Sequence, residues 1–598
     1  MSEIAGRIAR LRRLMEERGI DAYLIPTSDY HDSEYVGEHF ACREYITGFT
    51  GSAGTALVTR DWAGLWTDGR YFVQAAEELS GSGVELMKMG RPGVPSVEDY
   101  LKEHLPERGV LGFDGRVVNA KTGEELEKCL KDKQCRVVCT EALVDEIWEN
   151  RPPLASEPVW ILKGKYAGKH ALKKLAELRE EMRKCRADVH ILTTLDDIAW
   201  LLNIRGNDIP CNPVALSYLA VTDKEIRFFV NPAVISDEVS GYLESLGVTM
   251  YPYEAIYSYV KSLKDCRVLL ETGKVNYALV RDLKARNSII DRMNPTAAAK
   301  ARKNDVELEN LKSAHIKDGV AVTKYIYWLK KNIGKIPMTE CSAAERLDWL
   351  RAEQGAIGPS FPTISAYGKN AAVCHYHAVP ESCARLMPEG LYLVDSGGQY
   401  LEGTTDVTRT IALGPVTKEQ REHYTLVLMG MLRLGNVKFA QGCSGVSLDY
   451  AAREPLWQRG LDYGHGTGHG VGYLLNVHER PVNIRFKTAP ERQDSAPFFP
   501  GMVCSDEPGL YIEGSHGIRT ENMMFCKEDE TTEYGRFLKF EFLTYVPIDL
   551  EPVEVSLMED RDIAWLNEYH AQVYEKISPH LGGEEKLWLE EATRPLSR

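Results

Sequence analysis

Asp395, Asp406, His469, Glu507 and Glu521 follow one another in the second half of this 598-residue chain. Each sits in a short distinctive segment: LVDSGG, TTDVTRT, HGTGHG, DEPG and GIRTEN in turn. Four carboxylates and one imidazole form a hard, oxygen-rich ligand set with no thiolate. Such a set suits two divalent cations sharing bridging carboxylates. A metal pair in turn suits hydrolysis, because it polarises a carbonyl and acidifies a water. One aspartate at a strand end is ordinarily a turn or cap residue; the combination of five carries the reading.

The flanking residues indicate what must position these groups. LYLV before Asp395 and VTRTIAL after Asp406 read as strands, and the glycine-rich SGGQYLEGTT between them can turn the chain. Adjacent antiparallel strands then bring the two carboxylates together. Interspersed glycines make a regular helix unfavourable across HGTGHG and allow backbone close to a metal or substrate. The pair His465 and His469 is therefore expected to supply one pocket residue and one ligand. Glu507 and Glu521 both fall in strand-like runs and are expected on antiparallel strands joined by a loop. Glutamates buried in strands are rare unless paired or metal-bound.

Composition narrows the setting. An apolar share of 44% and a charged share of 27% are ordinary for a globular protein. A net charge of −15 argues against a general nucleic-acid binder. The start, MSEIAGRIARLRRLMEERGI, is charged and periodic, unlike a signal peptide, and no apolar run is long enough for a membrane span. The 13 cysteines are scattered and odd in number, which reads as reduced thiols in a cytoplasmic protein.

The front of the chain reads as a duplication. Ile4, Ile8, Leu11 and Met15 recur at helical spacing, Gly19 stops that helix, and DAYLIP follows as a strand. REYITGFTGSAGTALV and GLWTDGRYF continue the strand-rich pattern with glycine turns. From residue 167 the pattern returns: AGKHALKKLAELREEMRKC parallels the opening helix, DVHILTT parallels DAYLI, and IRFFVNPAV parallels AGLWTDGRYF. The prolines of RPPLASEP mark the join. A third region opens with a capping-box pattern at Asn304 and Glu307. Trp565, Leu566, Trp588 and Leu589 are the expected packing residues of a helical tail.

Taken together, the five positions and their flanks resemble the pita-bread metallopeptidases, and within them the aminopeptidases P. NAAVCHYH, HGTGHGVG, NVHERP, DEPGLY and GIRTEN carry the resemblance, as do REYITGFTGSAGT, WTDGRY and WLLNIRGNDIPCNPV toward the front. It implies an α/β (α+β) chain of three domains. Two tandem creatinase-like α/β domains, 1–155 and 156–300, precede a pita-bread catalytic domain with a helical tail, 301–598. It implies that Asp395 and Asp406 hold one metal, that Asp406 and Glu521 bridge to a second, and that His469 and Glu507 complete the second site. Manganese is the expected metal, with cobalt or zinc as alternatives, and a metal-bridging hydroxide is the nucleophile. Glu507 doubles as proton shuttle, and His375, His465 and His478 are pocket histidines. His377 rivals His375, because two residues so spaced on a strand would face the same side. Arg519 is expected to orient Glu521 and Tyr511 to line the pocket. The implied activity is removal of the first residue from peptides with proline second, by a homodimer. Prolidase is the alternative, and a non-catalytic peptide-binding relative a weaker one, since all five ligands are present.

Overall fold

The computed structural model describes residues 3–487 and 496–598. The chain divides into two compact units: Met1–Leu162 with Lys169–Thr296, and Lys163–Gly168 with Ala297–Arg598.

The first unit contains the repeat read from the sequence. Helix α1, Glu3–Glu17, turns Ile8, Leu11 and Met15 inward, and Gly19 adopts φ +65° just beyond its end. Six strands follow: β1 Ala22–Pro26, β2 Thr55–Thr59, β3 Ala63–Thr67, β4 Glu85–Lys88, β5 Val110–Gly112 and β6 Arg136–Val138. They form one sheet in the order β4-β3-β2-β1-β5-β6. β1 is apolar throughout because both faces are covered: Tyr23 and Ile25 enter one core, while Ala22 and Leu24 enter the other.

The second copy begins with helix α2, Ala171–Lys184. Its strands are β7 Val189–Leu192, β8 Ser217–Thr222, β9 Ile226–Val230, β10 Val248–Pro252, β11 Arg267–Leu270 and β12 Ser288–Asp291. They lie in the order β10-β9-β8-β7-β11-β12, the first order repeated strand for strand. The directions repeat as well. Pairs β1–β2, β2–β3, β7–β8 and β8–β9 are antiparallel, and the remaining neighbours are parallel. One expectation fails locally. The REYIT segment is helical within Cys42–Thr47, ended by Gly48 at φ +77°; its β-branched residues pack Ile46 into the core from a helix instead of a strand.

In the second unit, α3, Asp305–Asn332, starts with the capping box at Asn304 and Glu307. Helix α4, Glu340–Glu353, follows. Strands β13 Ile364–Tyr367, β14 Leu391–Ser396 and β15 Val407–Ala412 form an antiparallel sheet in that order. Helices α5, Lys418–Gly435, and α6, Gly445–Trp457, come next; α5 is buried from His423 through Leu432. Strand β16, Lys438–Ala440, lies between α5 and α6, and after α6 come β17 Gly468–Gly470, β18 Glu479–Ile484, β19 Val503–Asp506, β20 Gly509–Ile512, β21 His516–Arg519, β22 Asn522–Thr532 and β23 Gly535–Phe542. A six-stranded sheet runs β16-β23-β22-β19-β17-β18, while β20 and β21 pair alone. The tail is helical, Asp560–Ile577 and Gly583–Ala592, with Leu566 and Leu589 in the core and both tryptophans packed against it.

Candidate metal centre

Asp395 and Asp406 meet as the strand reading requires. Within the β14–β15 pair Asp395 faces Thr408, and Asp406 stands immediately before β15. His469 lies at the centre of β17, between β18 and β19. Two glycines there serve strand packing: a Cβ on Gly468 would lie 2.1 Å from the Ser505 carbonyl oxygen, and one on Gly470 2.3 Å from that of Glu479. They admit close backbone, as expected, but the backbone they admit is protein.

Glu507 and Glu521 are not within strands. Glu507 occupies the break between β19 and β20, and Glu521 the break between β21 and β22. At these two breaks the chain leaves the large sheet for the small β20–β21 hairpin and returns. Both backbones are tied: Glu507 donates N–H to Thr467 O at 2.8 Å, and Glu521 to Thr408 O at 3.1 Å.

Ligand atoms of Asp406, His469 and Glu521 lie within 4.8 Å of one another. The His469 Nε2 is 3.5 Å from Asp406 Oδ2 and 3.5 Å from Glu507 Oε1. Its Nδ1 donates to Gly470 O at 2.9 Å, which leaves Nε2 as the nitrogen that could hold a metal. Asp395 Oδ1 and Asp406 Oδ1 are buried without a hydrogen-bond partner. A buried carboxylate oxygen left unpaired is costly, and divalent cations held by these residues would remove that cost. The donor set fits such ions.

The electrostatics agree. Burial raises the Asp395 carboxyl to about 6, with the Arg519 guanidinium opposing and Asp406 reinforcing the shift. Burial and the neighbouring Asp406 and Asp395 push Glu521 well above the carboxylate range. Burial acts to lower the His469 imidazolium, but the carboxylates of Asp406 and Glu507 outweigh it and lift it to about 9.

Arg519 departs from its expected role. Its Nη2 donates to Asp395 Oδ2 at 2.6 Å and its Nη1 to Tyr511 OH at 2.5 Å. Glu521 receives the Thr408 hydroxyl at 2.7 Å in its place. Arg519 ends β21, whose partner strand carries Tyr511, so its fork reaches across to β14. Tyr511 OH in turn donates to His465 Nε2 at 2.8 Å, and His465 Nδ1 donates to Gly466 O at 2.7 Å. Burial, partly countered by Glu507, lowers His465 to about 4, so it is neutral at neutral pH with both ring nitrogens engaged. The His478 ring meets the His469 ring edge-on, centroids 4.3 Å apart.

No strand carries His375 and His377. A short 3-10 helix, Gly368–Ala372, precedes them and they lie in the turn and loop that follow. His375 is half-buried and His377 exposed, so the same-face argument falls away. The loop is anchored on a residue without a sequence signal, Glu340. Its fully buried carboxylate accepts from Tyr367 N at 2.7 Å, Asn370 Nδ2 at 3.0 Å, Tyr376 OH at 2.8 Å and Ala384 N at 2.7 Å. Arg453 is a second unforeseen anchor. Buried on α6, it pairs with Asp449 at 2.6 Å and donates to Tyr463 O and His465 O at 2.8 and 2.7 Å, holding the HGTGHG backbone. In sequence, neither differs from any helical glutamate or arginine.

Of the motif residues in the front half, Arg70 pairs with Asp68 at 2.7 Å, while Arg43 and Arg205 donate to backbone carbonyls. These are structural contacts.

Residues 7–147 and 150–307 match the creatinase/prolidase N-terminal domain, 309–528 match metallopeptidase family M24, and 536–596 match the C-terminal region of that peptidase family. Fold and site together define a metallopeptidase, with the two creatinase-type domains leading a pita-bread domain. The Arabidopsis thaliana protein named aminopeptidase P2 is 40% identical over 99% of this chain and 88% of its own. A probable Xaa-Pro aminopeptidase P of Botryotinia fuckeliana is 41% identical over 99% and 92%. Among solved structures, X-prolyl aminopeptidase of Caenorhabditis elegans, described as a cytosolic enzyme with a dinuclear active site, superposes with TM-score 0.93 at 36% identity over the whole of both chains. The chain belongs to the Xaa-Pro aminopeptidase P family and is a hydrolase.

Proposed function

We propose that this enzyme removes the amino-terminal residue from peptides whose second residue is proline, using two divalent cations held by Asp395, Asp406, His469, Glu507 and Glu521. The observation that carries the reading is the convergence of Asp406, His469 and Glu521 ligand atoms within 4.8 Å, beside two unpaired aspartate oxygens. The relatives' names supply the substrate class. Bound there, such a cation pair, expected to be manganese, would supply Lewis acidity and an activated water as nucleophile.

The chain's own residues divide the remaining work. Asp395, Asp406 and Glu521 are buried, whereas the Glu507 side chain keeps 19% exposure. Glu507 is therefore the carboxylate placed to take a proton and return it to the leaving proline nitrogen, which has no N–H of its own. His478, edge-on to His469, and His375, on the Glu340-anchored loop, are the pocket donors for the oxyanion and the proline residue. Neutral His465 positions Tyr511. The repeated sheet order supports three domains at 1–155, 156–300 and 301–598. The cytosolic description of the nematode structure supports a cytoplasmic enzyme, and a homodimer is the assembly we expect. Among the described residues no helix is long and apolar enough to cross a membrane.

The test is a manganese-supplemented assay on Xaa-Pro dipeptides and longer Xaa-Pro-Xaa peptides, with product masses. Release of the first residue from the longer peptides is expected; cleavage of the dipeptides alone would establish a prolidase instead. His375→Ala should lower turnover strongly with metal content retained, and a full-activity result would remove His375 from the pocket.

A further inference from the structure

Glu521 sits in the break between β21 and β22, outside the sheet ladder. Its peptide groups are held from β15 instead. Its N–H goes to Thr408 O at 3.1 Å, and its carbonyl accepts from Arg409 Nη1 at 2.6 Å. The same nitrogen donates to Thr408 O at 2.8 Å. The Arg409 side chain is fully buried, and the rest of its fork points away from the ligands. Nε donates to Pro547 O at 3.1 Å. Nη2 donates to Asn522 Oδ1 at 2.8 Å, to Val546 O at 2.9 Å and to Tyr569 OH at 2.9 Å. Every nitrogen of the guanidinium is engaged.

Tyr569 belongs to the tail helix Asp560–Ile577, which supplies none of the five proposed ligands. Its buried hydroxyl closes the far end of the cage. It accepts from Arg409 and from Val546 N–H at 3.2 Å, and returns its own proton to Val546 O at 2.8 Å. A buried polar network in which every member is satisfied holds one arrangement. The guanidinium is also rigid and planar. Its tail-side contacts therefore fix where the Nη1 corner lies, and with it the Glu521 carbonyl.

Given the two-cation reading of the site, on which this rests, we propose that Arg409 and Tyr569 are positioning residues of the metal centre, through which the C-terminal tail holds Glu521 in place for a cation. Thr408 orients the Glu521 carboxylate; Arg409 orients the backbone from which that carboxylate projects. Removing the Tyr569 hydroxyl takes one acceptor from Nη2 and one from Val546 N–H. The fork can then turn, and Glu521 leaves its place beside Asp406 and His469, whose ligand atoms lie within 4.8 Å of its own. Cations bind more weakly although all five ligands remain. Saturating metal reverses the loss, because the cation's own bonds draw Glu521 back.

Chelator-stripped wild type and Tyr569→Phe, both as the full chain, are titrated with manganese well below their melting temperatures. Bound metal and turnover are read separately. Tyr569→Phe should need about 5-fold more free manganese, the effect of one hydrogen bond of ordinary strength, and should reach wild-type turnover once metal is saturating. Arg409→Lys offers one ammonium for both sides of the cage and should weaken binding further. Ile577→Ala is the control. It empties a fully buried position about two turns on along the same helix and makes none of the cage's hydrogen bonds. It should lower the melting temperature and leave manganese affinity unchanged. Tyr569→Phe affinity within twofold of wild type would overturn the proposal alone, as would a turnover deficit that persists at saturating metal. An equal affinity loss in Ile577→Ala would also overturn it, since the effect would then be one of tail stability. Wild type that binds no manganese would overturn the two-cation reading and this proposal together.

Discussion

Thr408→Val removes a hydroxyl and keeps the side chain's shape. Thr408 is fully buried on β15, and its hydroxyl is donated to Glu521 Oε2 at 2.7 Å while accepting from Arg519 Nε at 3.3 Å. A hydrogen bond to a charged group contributes about 1.5–3 kcal/mol. Loss of a partner that orients a metal ligand costs roughly 10–100-fold in affinity, or about 1.4–2.8 kcal/mol, so two independent routes agree. The sign with pH follows from the carboxyl itself. Glu521 is already raised by burial and by its carboxylate neighbours, and the hydroxyl favours its charged form. Without the hydroxyl a proton competes harder with the cation. The affinity deficit should be larger at a mildly acidic pH value and shrink at a mildly alkaline one. Chelator-stripped protein titrated with manganese at both values, read by bound metal and by turnover, measures this. Wild-type affinity within twofold at both pH values would show that the Thr408 bond does not support the site.

Further outcomes follow from the same geometry. Arg519→Lys cannot span Asp395 and Tyr511 with one ammonium; turnover should fall about 10–100-fold while metal stays bound, and an unchanged kcat would refute the Arg519–Tyr511–His465 chain. The metal-free His469 imidazole, raised to about 9, holds a proton below that pH that a cation must displace. Calorimetry in buffers of different ionisation enthalpy should register proton release near neutral pH that fades above about pH 9. Gly468→Ala places a Cβ against the Ser505 carbonyl oxygen, at 2.1 Å before any relaxation; chemical denaturation should show a loss of about 3 kcal/mol or more, and near-wild-type stability would mean that β17 and β19 can part.

The sequence by itself pointed to the candidate ligand residues, three of which, Asp406, His469 and Glu521, the structure brings together, and to the repeated front half. Asp395, Asp406 and His469 were legible because strand patterns and glycine-rich segments are local signals that survive folding. The duplication was legible because each copy carries its own helix and strand periodicity, and the sheets repeat strand for strand. What only the tertiary structure decided concerns partners far apart in the chain. Arg519 was expected on Glu521, its near neighbour in sequence. It binds Asp395 because the β20–β21 hairpin turns its guanidinium toward β14. Glu340 and Arg453 carried no signal, since burial and convergent donors, not residue type, make a charged side chain an anchor. His375 and His377 were separated by a turn where a strand was expected. Spacing along a chain specifies direction only when the backbone is regular, and at the breaks that hold Glu507, Glu521 and His375 it is the packing of distant segments that sets where a side chain points.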